Sequence, residues 1–213
     1  MAIADDQYCG PADAEVAVLV IHGGYFAIGT PEATADSCEA FAARGWRAVN
    51  LDYPLGDLAA AARYVEAAAW RYRAGRRTVL IYGESAGGGL AALAAARRRV
   101  NGAFAWAPVS DLLSWKRNEA AGLPFWAAIA DTKPSTLRRF SAATWVSRKS
   151  APLGVVHGRS DRLVALSQSV RLKRRWRSMT LRVASGGHEQ SARSYAGATK
   201  SAISYFERLL LGS

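Results

Sequence analysis

Thr78-Val-Leu-Ile-Tyr-Gly83-Glu84-Ser85-Ala86-Gly87-Gly88-Gly-Leu-Ala-Ala-Leu-Ala-Ala-Ala96 is an apolar run, a glycine-flanked serine and an alanine-rich run in direct succession. From Val79 to Tyr82 the first run is apolar at every position, as a strand buried on both faces requires. The last is a strong helix former. A strand that passes into a helix within five residues must turn sharply, and Gly83 and Gly87 supply the freedom to do so. The serine is thereby lifted to the C-terminal edge of a sheet and the start of a helix, where backbone amides favour negative charge.

Outward from this stretch the same rhythm repeats. Apolar runs at Val16–Ile21, Trp46–Leu51, Gly102–Trp106, Leu153–His157 and Met179–Val183 read as further strands. Helices are expected over Pro31–Arg44, with Thr30 as N-cap and Gly45 as the stop, over Leu58–Tyr72, Val164–Arg177 and about Glu189–Leu211. Strands that alternate with helices imply right-handed crossovers and a mostly parallel sheet of about six strands, covered on both faces. The expected architecture is α/β, a single domain over residues 1–213. The segment 108–151 is too long for a plain crossover. It carries Trp115, Phe125, Trp126 and Trp145, with helices expected at Leu123–Ala130 and Pro134–Val146, and reads either as a crossover with an extra helix or as a small lid.

Composition narrows the function classes. The chain has 213 residues, half of them apolar and 21% charged, which suits a globular enzyme-sized domain. The formal net charge is +11, most of it arginine in short clusters such as Arg97-Arg98-Arg99 and Arg138-Arg139. Without a nucleic-acid-binding motif these read as solvated helix faces and ends, so no nucleic-acid partner is expected. No run is long enough to span a bilayer, and Met1–Gly10 holds acids but no apolar leader core, so no membrane partner and a cytoplasmic location are expected. Cys9 and Cys38 have no metal-ligand spacing and read as incidental thiols, with a bridge between them left open.

A serine hydroxyl needs a base to become a nucleophile. Of the three histidines, His22 and His157 close strands and read as structural. His188, in Ser185-Gly-Gly-His188-Glu189 after the last strand, falls at the same sheet edge as Ser85 and is the candidate base. Asp161, after the fifth strand, is the candidate partner of the imidazole. Asp111 and Glu189 are its rivals; Asp111 could equally cap a loop, and Glu189 is adjacent to the histidine in sequence. The amide of Ala86, with those of Gly24 and Tyr25 after the first strand, would receive an oxyanion.

Together these residues resemble the α/β-hydrolases, near the carboxylesterase and hormone-sensitive-lipase-like branch. The likeness rests on His22-Gly23-Gly24, Asp52-Tyr53-Pro54-Leu55, Gly83-Glu-Ser-Ala-Gly-Gly88, Pro108-Val-Ser-Asp111, His157-Gly-x-x-Asp161 and His188, in family order. The resemblance implies a Ser85–Asp161–His188 triad, a serine esterase of small carboxylic esters, and no metal or organic cofactor. Two departures stand out. Tyr25 and Phe26 follow His22-Gly23-Gly24, a pattern similar to the arylformamidases, so amide, formamide or acyl-transfer chemistry stays open on the same triad. The family's first strands are missing or vestigial, which leaves an open pocket and keeps a homodimer open. Tyr25, Phe26, Trp115 and Trp126 are the pocket-wall candidates. A non-catalytic module on the same fold and a basic nucleic-acid binder are the contrasting readings.

Overall fold

The computed structural model describes residues 5–75, 77–118, 132–188 and 192–212, with the side chains of 116–118 and 192–196 left aside. A central sheet is built from β1 (Gln7–Cys9), β2 (Val16–Ile21), β3 (Arg47–Asn50), β4 (Thr78–Glu84), β5 (Gly102–Trp106), β6 (Leu153–Gly158) and β7 (Met179–Ala184). Its order is β1-β3-β2-β4-β5-β6-β7. All neighbours run parallel except β1, which pairs antiparallel with β3. The sheet therefore has seven strands, one more than the sequence rhythm suggests. β1 is three residues long at an edge, too short to show any periodicity.

The helices are α1 (Ala35–Ala42), α2 (Leu58–Ala74), α3 (Ala86–Ala96), α4 (Leu112–Asn118), α5 (Pro134–Arg139), α6 (Ala142–Trp145), α7 (Ser167–Arg175) and α8 (Ala192–Leu210). One sheet face is covered by an apolar cluster that gathers residues of α2 to α7, including Val65, Leu93, Leu112, Leu137 and Leu172. The other is covered by α1 and α8 through Cys38, Phe41, Ala198, Ala202 and Phe206. Every residue of α3 is buried, which explains why it has no polar face. None of the described helices is long and apolar enough to cross a membrane.

Several boundaries move for identifiable reasons. Pro31–Thr34 is a 3-10 turn rather than the start of α1, and Thr30 makes no side-chain cap. The Pro31 carbonyl accepts from Asn50 Nδ2 and Thr34 Oγ1. α7 begins at Ser167 rather than Val164 because Val164 is already committed at both backbone groups. Its N–H donates to Asp161 Oδ1 and its carbonyl accepts from His157. α2 starts where Asp57 accepts from the amides of Ala59 and Ala60.

The thiol reading of the cysteines is corrected: Cys9 and Cys38 form a disulfide that ties β1 to α1. Their 29-residue separation carries no pattern that could have revealed it. In the 108–151 segment, the Ala143 amide donates to the Ser110 carbonyl and Leu112 N to Ser141 Oγ, so both flanks are fastened into the core. The helix expected at 123–130 and the middle of the proposed lid lie outside the described residues.

Candidate active site

In the β2–β4 register Ile21 lies opposite Gly83, so the loops that follow the two strands leave the sheet side by side. β6 and β7 end level with each other, Gly158 opposite Ala184. Four loops thus meet at the C-terminal edge of the parallel strands, where open α/β sheets place their sites.

Ser85 sits on the turn between β4 and α3 with φ 53° and ψ −112°. A non-glycine residue there is strained by about 1–3 kcal/mol. The turn is fixed by backbone bonds: the Ser85 amide donates to the Trp106 carbonyl at 2.8 Å, and the Ser85 carbonyl accepts from Gly89 at 2.9 Å. Glycine is required beside it, because a Cβ on Gly87 would lie 2.3 Å from the Ile21 carbonyl oxygen and 2.4 Å from that of His22.

Three side chains come together in a row. His188 Nδ1 lies 2.7 Å from Asp161 Oδ2, and His188 Nε2 lies 2.9 Å from Ser85 Oγ. An ionised carboxylate can only accept, so Nδ1 carries the proton and neutral Nε2 accepts from the serine hydroxyl. Asp161 Oδ1 accepts from the amides of Leu163 and Val164 at 3.0 and 2.8 Å. Burial works against the Asp161 charge, but hydrogen bonds from His157, His188 and Val164 outweigh it and hold the carboxyl well below the usual carboxylate range.

The rivals are placed elsewhere. Asp111 Oδ1 accepts from the Ser114 amide and caps the start of α4. Glu189 lies outside the described residues. His157 is buried; its ring nitrogens meet Ser169 Oγ and the Val164 carbonyl, both at 2.7 Å, with Asp161 Oδ2 at 3.3 Å from Nε2. It braces the Asp161 loop. His22 is buried too, with Nδ1 2.6 Å from the Gly23 carbonyl and its ring stacked on Tyr53 at 4.5 Å. Burial pushes its pKa down.

The loop after β2 has an unusual backbone. Gly24, Tyr25 and Phe26 have φ of 114°, 58° and 65° in succession. A Cβ on Gly24 would lie 1.8 Å from the Ile28 carbonyl oxygen, so only glycine fits. Tyr25 and Phe26 carry strain of about 1–3 kcal/mol each. Phe26 and Trp115, expected as pocket walls, are core side chains instead. The Trp115 indole donates to the Leu163 carbonyl at 2.8 Å and so supports the Asp161 loop from inside. Tyr25 is partly buried against the same core, and Trp126 lies outside the described residues.

Glu84, next to the serine, is not among the residues that the sequence marks for the site. It is buried, accepts from Tyr82 Oη at 2.5 Å, and burial raises its pKa to about 8. The only sequence signal was its place inside the glycine–serine turn.

Solved structures of similar fold include a truncated carbohydrate esterase from gut microbiota, 18% identical, with TM-score 0.75 over 96% of this chain and 90% of that one. The apo form of Thermogutta terrifontis esterase 2 is 20% identical, with TM-score 0.77 over 96% of this chain and 89% of that one. The same esterase phosphonylated by cyclosarin is 20% identical and gives a TM-score of 0.76 over 96% and 88%. No curated protein sequence matches the chain. The BD-FAE family matches residues 8–176, which hold both the β4–α3 turn and the Asp161 loop. The chain belongs to the BD-FAE family, an esterase-type α/β-hydrolase domain.

Proposed function

We propose that the protein is a serine hydrolase of small carboxylic esters, working through an acyl-enzyme on Ser85. The observation that carries this reading is the unbroken row Ser85 Oγ, His188, Asp161, with contacts of 2.9 and 2.7 Å. Ser85 Oγ attacks the acyl carbon as its proton passes to His188 Nε2. The imidazolium that forms faces a carboxylate held ionised by its hydrogen bonds, which favours the charged ring. Charge on the former carbonyl oxygen is received by the Ala86 amide at the start of α3 and by the amides of Gly24 and Tyr25. Each such donor is worth about 3 kcal/mol in the transition state. His188 then gives its proton to the departing alkoxide, and the C–O bond to the alcohol breaks. In the second half, water loses a proton to His188 and attacks the acyl-serine, releasing the acid and restoring the hydroxyl.

Substrate size takes support from the similar esterase 2, which has been solved with butyrate and with propionate bound. Short acyl groups are the first choice for this chain. p-Nitrophenyl acetate, butyrate and octanoate, with and without a fluorophosphonate probe, test the reading. The expected result is turnover highest on the shorter esters, and probe attached to the Ser85 peptide. Turnover that persists in Ser85→Ala would sink it. Probe on Ser85 without ester turnover would keep the nucleophile and move the substrate to an amide, a formamide or an acyl acceptor.

A further inference from the structure

The strained loop after β2 needs holding from outside itself, because two successive non-glycine residues there have positive φ. Part of that hold comes from the loop between β3 and α2. Tyr53 is buried, stacks on His22, and its hydroxyl lies 3.2 and 3.3 Å from the carbonyls of His22 and Gly23. At the far end, the Gly56 amide donates to the Phe26 carbonyl at 2.7 Å. The Asp52–Gly56 loop therefore grips the strained segment on both sides.

That gripping loop is itself anchored by the N-terminal segment. Asp6 Oδ1 accepts from the Asp52 amide and from Tyr64 Oη, both at 2.8 Å. Asp6 leads directly into β1, which pairs with β3 from Gln7–Asn50 to Cys9–Ala48. The Cys9–Cys38 disulfide fastens β1 to α1, and Arg47 adds a bond to the Gly10 carbonyl at 2.7 Å. A three-residue edge strand is held weakly by its ladder alone. The covalent tie adds to that ladder three residues from Asp6.

We propose that Asp6 is a positioning residue for the oxyanion-binding loop, acting through Asp52 and Tyr53, and that the Cys9–Cys38 disulfide is the clamp that holds it in place. The proposal rests on the ester-hydrolase reading above and adds a dependence of that activity on the oxidised bridge. Reduction by a dithiol converts the disulfide to two cysteine thiols and the dithiol to its cyclic disulfide, with two electrons and two protons transferred. β1 is then free to leave β3, and the amides of Gly24 and Tyr25 lose their fixed aim.

The test is a double-mutant cycle on p-nitrophenyl butyrate turnover, with hydrogen exchange alongside. Asp6→Ala and Tyr53→Phe should each lower kcat about tenfold with KM changed less than about twofold, since the transition state alone uses the oxyanion amides. The double variant should be no worse than either single, because both act on one path. Asp6→Asn keeps the accepting oxygen and should restore kcat. In Asp6→Ala the amides of 22–28 should exchange faster while those of β4 and α3 do not. Reduction with dithiothreitol, or the pair Cys9→Ala and Cys38→Ala, should reproduce the kcat loss, and serves as the cycle partner should Asp6→Ala not fold. Wild-type kcat in both Asp6→Ala and the reduced protein, or losses that simply add, would overturn the positioning role. Turnover surviving Ser85→Ala would instead break the hydrolase reading, leaving the exchange result to decide on Asp6.

Discussion

The two loops that flank the site solve the same problem by different means. The β4–α3 turn holds one strained residue, Ser85, between Gly83 and Gly87, and its bonds run to adjacent backbone on β5 and α3. The loop after β2 holds Gly24, Tyr25 and Phe26 at positive φ with a single glycine among them, and takes its support from Tyr53 and Gly56 in another loop. The first is held by its own helix through Gly89 and by the adjacent strand β5 through Trp106. The second is assembled from parts of the chain 30 residues apart in sequence. Strain braced by an adjacent sheet strand depends on the sheet alone, while strain braced by another loop depends on everything that positions that loop.

The largest effect should come from the row that spans the first loop. His188→Ala should cost about 10⁴-fold or more in kcat, and adding Ser85→Ala should cost little further, because the residues act as a unit. Steady-state and single-turnover kinetics on a p-nitrophenyl ester read this directly. Additive losses would separate the two residues into unrelated roles.

Glycine substitutions sharpen the contrast between the loops. Gly24→Ala puts a Cβ against the Ile28 carbonyl at a φ of 114°, so the loop must reorganise. On the oxyanion role proposed for the Gly24 amide, its expected mark is on catalysis, about 10²–10³-fold in kcat, with modest change in melting temperature. Gly87→Ala drives a Cβ into the carbonyls of Ile21 and His22, where α3 packs on the end of β2. Its mark should be on the fold, about 3 kcal/mol in denaturant unfolding. A melting loss in the first and a pure kcat loss in the second would reverse the assignment of the two loops.

How legible each part was in the sequence follows the same division. The strand–serine–helix turn declares itself because its apolar run, glycines and alanines are contiguous. The loops after β6 and β7 could be aligned with it because parallel strands end at one edge, and the structure brings Asp161 and His188 there. β1 escaped notice because a three-residue antiparallel edge strand is held through backbone pairing rather than a side-chain pattern. The disulfide escaped because neither Cys9 nor Cys38 has a motif around it. Phe26 and Trp115 suggest pocket walls because they are aromatic and close to the site in sequence. Their burial depends on packing that no local pattern encodes.

Glu84 tests how self-contained the serine turn really is. Its carboxyl has a pKa of about 8 in place of its usual 4.5, because burial disfavours the charged form more than the Tyr82 bond favours it. In the unfolded chain the proton leaves near pH 4.5, whereas the native state keeps it to about pH 8. Between those values the native state binds more protons, so this group makes stability fall as pH rises, by up to about 1.4 kcal/mol per pH unit. Asp161 has the opposite sign: its depressed pKa adds stability that is complete above the usual carboxylate range and is lost as pH falls below about 4. The wild type should therefore be most stable near pH 4 to 5 as far as these two groups decide it. Glu84→Gln keeps an oxygen for Tyr82 but cannot ionise. It should leave stability near pH 4 almost unchanged and raise it by about 2–3 kcal/mol at neutral pH, flattening the falling limb while the acid limb from Asp161 remains. Urea unfolding across pH 3 to 9 measures both limbs. A variant that keeps the falling limb would mean that Glu84 is already charged beneath the serine in the native state, and that the turn draws on a counter-charge beyond its own residues.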